Sequence, residues 1–201
     1  MASSLDVAQY LIHLAAPCED EDVDCLSHLR LQKLLYYVQG WHLAAYGKPL
    51  FSGRIEAWKH GPVVKELWPS FADFRYAAIP PSKGAEPPAL AAKEKEFIRN
   101  VWEEYKQYSA TALRTMTHQE APWQEARAGL SPDVRCDNEI THASMRAFFS
   151  AKLEERLCKT DSRIDKSMLE KSRKAIESGQ AQTTQDIRHD LHRRRARPGQ
   201  G

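Results

Sequence analysis

The chain has 201 residues, 42% of them apolar, which is enough for one domain of ordinary size with an appendage beside it. Its formal net charge of +2 is unevenly spread, because residues 1–150 carry 16 Lys and Arg against 19 Asp and Glu, whereas residues 151–201 carry 13 against 8. No apolar run approaches the ~18 residues that suggest a membrane helix, and the first 17 residues lack a basic start and hold Asp6 and His13, so neither a membrane span nor a secretory leader is expected and a cytoplasmic location is.

The first predicted helix covers residues 4–16, capped by Ser3 or Ser4, with Val7, Leu11 and Leu14 along one face. Pro17 ends it. The acidic run Glu19, Asp20, Glu21, Asp22 and Asp24 reads as a solvated loop, since it lacks the Gly turn and terminal Glu of a calcium-binding EF-hand. Ser27 is the predicted N-cap of a central helix that runs to Tyr46 and must be covered on two sides, because Leu31, Leu34, Leu35, Val38, His42 and Ala45 form a stripe beside Tyr36, Tyr37 and Trp41. Gly47 and Pro49 stop it. Within it, Lys33 is expected to lay its stem on apolar surface and reach water with its amine, and His42 to be a hydrogen-bonded helix residue.

Phe51 to Trp58 is short and suits a small β-hairpin or an extended arm, with Ile55 and Ala57 alternating against Arg54 and Glu56. Pro62 then reads as the first turn of a helix to about Phe74, bearing Val63, Leu67 and Phe71 and kinked or restarted at Pro69. Residues 80–88 are proline-rich loop. Leu90 to Tyr108 forms an amphipathic helix, with Phe97, Val101, Tyr105 and Tyr108 facing the central helix. Ser109 caps the next helix, Pro122 begins another, and Thr141 caps a last one that brings Met145, Phe148, Phe149, Leu153 and Leu157 to the core. Beyond it, Met168, Leu169, Ile176, Ile187 and Leu191 mark two short amphipathic segments with a polar hinge, followed by Arg193, Arg194, Arg195 and Arg197 and a disordered end. The predicted fold class is therefore mainly α: a compact helical domain with a small β-hairpin or extended arm over residues 1–157, and a helical, basic C-terminal appendage over 158–201.

Three ordered motifs, LxLQKLLYYxQGWHLAxxGxPLF from Leu29, IEAWxxGPVVxELW from Ile55 and SATALRTMTHQEAPW from Ser109, resemble the Panacea domain of SocA-like antitoxins from bacterial and phage toxin-antitoxin pairs. The resemblance covers roughly residues 4–150 and departs at Pro69, where family sequences run on. It implies an antitoxin that neutralises a cognate toxin by binding, either occluding the toxin's site or delivering it to a protease. Trp58, His60 and Pro62 of the domain, with Met168, Ile176, Ile187 and Leu191 of the tail, are the expected partner contacts, because aromatic residues at loops anchor interfaces and short amphipathic segments fold onto partners. The hairpin residues read equally well as a plain tight connection, and the tail as packed on its own domain.

Other chemistry is weakly represented. His118 and Glu120 offer a base and an orienter but no nucleophile or oxyanion donors, so the imidazole is expected to support the turn at Pro122 and Trp123, and no enzyme is predicted. No phosphate-binding, zinc-protease or serine-hydrolase motif occurs. Cys18, Cys25, Cys136 and Cys158 lack CxxC spacing and read as reduced thiols, while His189 and His192 are too few for a metal, so no metal or cofactor is expected. The arginines at 193, 194, 195 and 197 leave an alternative, a DNA-binding autoregulator that holds phosphates through its tail.

Overall fold

A computed structural model describes residues 1–15, 26–81 and 89–160. The acidic loop at 19–24, most of the proline-rich loop and the predicted tail contacts Met168, Ile176, Ile187, Leu191, Arg193, Arg194, Arg195 and Arg197 lie outside the described residues. Among those residues the fold is mainly α, with helices α1 (Ser4–Ala15), α2 (His28–Tyr46), α3 (Trp68–Phe71), α4 (Ala92–Tyr105), α5 (Ala110–His118), α6 (Ala121–Arg127) and α7 (His142–Thr160), and an antiparallel hairpin of β1 (Ile55–Trp58) and β2 (Gly61–Val64). No described helix is long and apolar enough to cross a membrane.

Local chemistry explains the helix ends. Ser27 accepts the Arg30 amide at the start of α2, Ser109 the Ala112 amide at the start of α5 and Thr141 the Ser144 amide at the start of α7, each satisfying a donor that has no partner within its helix. Gly47, at φ 68°, closes α2 by returning its own amide to Leu43.

Helix α2 is the axis of the domain, packed against α1, α4, α5, α7 and β2. Every residue of it except Leu29 and Tyr46 is buried, so it is enclosed on all sides rather than two. Its apolar side chains make the core with Phe51, Ile98, Trp102, Leu113, Met145 and Phe149. Its polar side chains are buried too and serve the backbone of other segments. Gln39 accepts the amides of Leu50 and Phe51 and donates to the Phe51 carbonyl at 2.8 Å, which pins the chain leaving the helix. Gln32 accepts the Val64 amide at 2.8 Å. Arg30 donates to the Lys106 carbonyl and lies over Trp102, and His42 bonds the Lys48 carbonyl at 2.7 Å as expected.

Two expectations need correction. The helix predicted from Pro62 is the return strand β2, paired in the register Ile55 with Val64 and Trp58 with Gly61, and only short turns of helix follow from Lys65 to Phe74. The β-branched pair Val63 and Val64 suits a pleated surface, Gly61 at φ 93° makes the entry, and a proline is tolerated in so short a ribbon where its missing N–H is not needed. Pro69 does restart the helix, within the first turn of α3. Segment 138–140 joins the other edge of β1, where the Ala57 amide bonds Asn138 and the Ile140 amide bonds Ile55.

The second correction is Lys33. It is fully buried instead of reaching water, and its ammonium donates to the Pro62 carbonyl at 2.7 Å. Burial, with the Arg114 charge nearby, lowers its pKa well below the ordinary lysine value.

Candidate functional site

The predicted domain contacts gather at one end of the hairpin, where β1 and β2 meet α5 and α6. Trp58 is half-buried; its indole N–H donates to Glu56 Oε2 at 2.8 Å and its ring lies 4.7 Å from Trp68. Trp68, 38% exposed, packs in turn on the buried His28 at 4.4 Å. The result is an aromatic column from surface to core. Glu56 is itself buried and held by Lys65 at 3.0 Å, so the charge beneath Trp58 is balanced. His60 stands exposed at the turn, beside Lys59, which pairs with Asp133 at 3.1 Å. Pro62 is buried and contributes its carbonyl to Lys33 rather than a surface.

A second tryptophan ties the hairpin to α6. Trp123 donates its indole N–H to the Trp58 carbonyl at 3.0 Å, and His118 stacks on its ring at 4.1 Å, nearly parallel. The imidazole thus supports the turn at Pro122, and its pKa is lowered to about 4 by burial and by the charges of Arg114, Lys33 and Arg127. Glu120 does not face it. Its carboxylate takes the Lys152 ammonium at 2.8 Å and the Tyr37 hydroxyl at 3.3 Å, while burial raises its pKa against the pull of Lys152. The two residues that could have formed a base and its orienter are therefore turned to separate structural partners.

Several residues that shape this end were not singled out from the sequence. Arg127 is 1% exposed, lies over Trp123 at 4.9 Å and donates to the carbonyls of Ala57 at 3.0 Å, Val134 at 2.7 Å and Ser131. Arg114 on α5 keeps a buried Nε–H with no hydrogen-bond partner, as does Nε2 of His118. The sole signal in the sequence is their helical spacing of four, which brings Arg114 and His118 to one face of α5. Among the described residues no group of three or more His, Cys, Asp or Glu is placed to hold a metal ion, and Cys136 and Cys158 are free thiols.

His28, at the base of the aromatic column, is expected to make the domain sensitive to acid. Gln32 Nε2, whose own carbonyl is committed to Val64, lies 3.1 Å from His28 Nε2, so the ring nitrogen must accept and the neutral imidazole is required. Burial, assisted by Lys33, lowers its pKa from 6.5 to about 4. Between those values the unfolded chain binds the proton and the folded chain does not, so stability is present above pH 6.5 and declines as pH falls toward 4. The loss expected from this one group is up to about 3 kcal/mol, and His28→Gln should flatten that part of the profile, as read from urea midpoints at pH 7 and pH 4.5. Equal pH dependence in both proteins would refute the assignment.

Comparison with known proteins covers the hairpin, α5 and the first part of α6. Residues 31–124, a stretch that contains both the hairpin and Trp123, match the family described as "Antitoxin SocA-like, Panacea domain". Antitoxin SocA of Caulobacter vibrioides is 47% identical over 47 residues, which is 23% of this chain and 25% of that protein. The chain thus spans about a quarter of the length of that curated relative. No solved structure matches.

Proposed function

We propose that this chain, built on a SocA-like Panacea domain, is the antitoxin of a toxin-antitoxin pair and neutralises its toxin by direct protein binding. The observation that carries the reading is the match of residues 31–124 to an antitoxin family. The contact surface assigned to the domain is the exposed end of the hairpin, with Trp58, Trp68 and His60 as anchors. Wide aromatic rings that remain partly accessible at a rigid turn lose little entropy on binding and bury much area, which is why such residues dominate interfaces. Pro62 acts there as a support beneath the turn. A second contact is assigned to the tail through Met168, Ile176, Ile187 and Leu191, whose apolar positions gain cover when they lie on a partner.

The test is co-expression with the protein encoded by the adjacent gene in a bacterial host, scoring growth and then co-purification. Rescue with a stable complex is expected. Trp58→Ala should weaken capture at least tenfold, by more than its urea midpoint shift accounts for, and removal of the residues after Leu157 tests the tail in the same assay. Rescue without a complex would replace neutralisation by binding with another mode of control, and full capture by Trp58→Ala would remove the hairpin from the interface.

A further inference from the structure

The end of the hairpin holds more buried polar nitrogens than its own structure pairs. We propose that Lys33, Arg114 and His118 form an oxyanion-binding recess beside the turn, suited to a carboxylate or a phosphate. Lys33 Nζ carries three protons when charged, is fully buried, and has the Pro62 carbonyl as its one acceptor at 2.7 Å. The Nε–H of Arg114 and Nε2 of His118 are buried without any partner. A buried polar nitrogen left unpaired costs about 1–3 kcal/mol, so these two, beside an amine with a single acceptor, are costly unless something bonds to them.

Charge points the same way. Lys33 feels the positive field of Arg114, and His118 that of Arg114, Lys33, Arg127 and His60. The acidic group facing this end, Asp133, is exposed and committed to Lys59. Glu120 is turned to Lys152 and Tyr37, and Glu56 to Lys65 and Trp58. A bound anion would favour the protonated forms of Lys33 and His118, which this setting disfavours, and hydrogen bonds between charged partners are about twice as strong as neutral ones.

Gly61 lies close against the Lys33 side chain. A Cβ there would come within 3.0 Å of Lys33 Nζ and 2.8 Å of Thr117 Oγ1, so any side chain would fill the space in front of the ammonium. Arg114 and His118 are half-buried and His60 is exposed. Trp123 stacks on His118 and holds its ring in one plane.

The oxyanion is either a phosphate or a carboxylate, and two probes separate them. Inorganic phosphate and acetate are titrated into the full chain at constant ionic strength with chloride as the balance, following backbone amides by ¹H–¹⁵N NMR. Saturable shifts centred on Gly61, Arg114, Thr117 and His118 are expected. Arg114→Gln should weaken the response at least tenfold, and His118→Gln, which leaves the guanidinium in place, supplies an independent comparison. Saturation by phosphate alone assigns a phosphate site, and saturation by acetate as well assigns a site that accepts carboxylates. Absence of saturable shifts with both probes, or equal responses in wild type and both variants, would overturn the site. The measurement needs no toxin, so its failure is separate from failure of the antitoxin reading.

Discussion

Gly40→Ala is expected to destabilise the domain by about 3 kcal/mol, although alanine is the better helix former by about 1 kcal/mol. Gly40 lies in the middle of α2, where the Phe149 ring of α7 rests against the helix backbone. An added Cβ would lie 2.1 to 2.6 Å from three atoms of that ring. The ring cannot step aside, because it is fully buried and makes edge contacts with Tyr36 at 5.5 Å, Trp41 at 5.2 Å and Phe148 at 5.3 Å. The methyl must therefore separate α2 from α7 or push Phe149 off its rotamer, and either disturbs the largest helix pair in the core. Urea denaturation followed by circular dichroism measures the loss. The mechanism is checked in a Phe149→Ala background, where Gly40→Ala should cost nothing or stabilise by up to about 1 kcal/mol, because the propensity effect alone remains. A similar loss in both backgrounds would place the cause elsewhere.

Gly40 also marks the boundary of what the sequence discloses. Caps and stops are local, so Ser27, Gly47, Ser109 and Thr141 fall where the structure has them, and α2 runs over the predicted residues. The core positions of α7 follow from spacing in the same way, with Met145, Phe149 and Leu153 buried. What the spacing could not disclose is the fate of polar residues on buried faces. Lys33 looks like a side chain with an apolar stem and a wet amine until the Pro62 carbonyl, 29 positions away, is found at its tip. Gln32 and Gln39 have the same character, each satisfying backbone that a helix-period reading never meets. The return strand β2 was hidden for a related reason. Gly61 and Pro62 are common both at a helix start and at a turn, and the choice was made by pairing with Ile55 to Trp58, which is a tertiary fact.

Arg127 is where this kind of hidden polar residue bears most directly on function. Its guanidinium spans three carbonyls, from β1 at Ala57 and from the loop at Ser131 and Val134, in a setting where no carboxylate balances it. Arg127→Met keeps much of the apolar volume and removes all three bonds. Each buried acceptor left open costs about 1–3 kcal/mol, partly offset because a buried cation no longer has to be desolvated, so a net loss of about 3 kcal/mol is expected in urea denaturation. Arg127→Lys should recover little of it, since one ammonium cannot reach three acceptors in the plane of a fork.

The functional consequence follows from the link between α6 and the hairpin. Arg127 lies over Trp123, and Trp123 holds the Trp58 carbonyl, so loss of the guanidinium loosens the strand that presents Trp58. Partner capture should therefore fall in Arg127→Met although the side chain is almost entirely out of reach of any partner. Trp123→Phe separates the two contributions, because it removes the 3.0 Å bond to Trp58 while leaving the carbonyls of Ala57, Ser131 and Val134 satisfied. Reduced capture with a nearly unchanged urea midpoint in Trp123→Phe would show that hairpin position, and not general stability, sets the affinity. Capture that tracks stability alone across Arg127→Met, Arg127→Lys and Trp123→Phe would mean that the hairpin is merely held in place and the partner binds elsewhere.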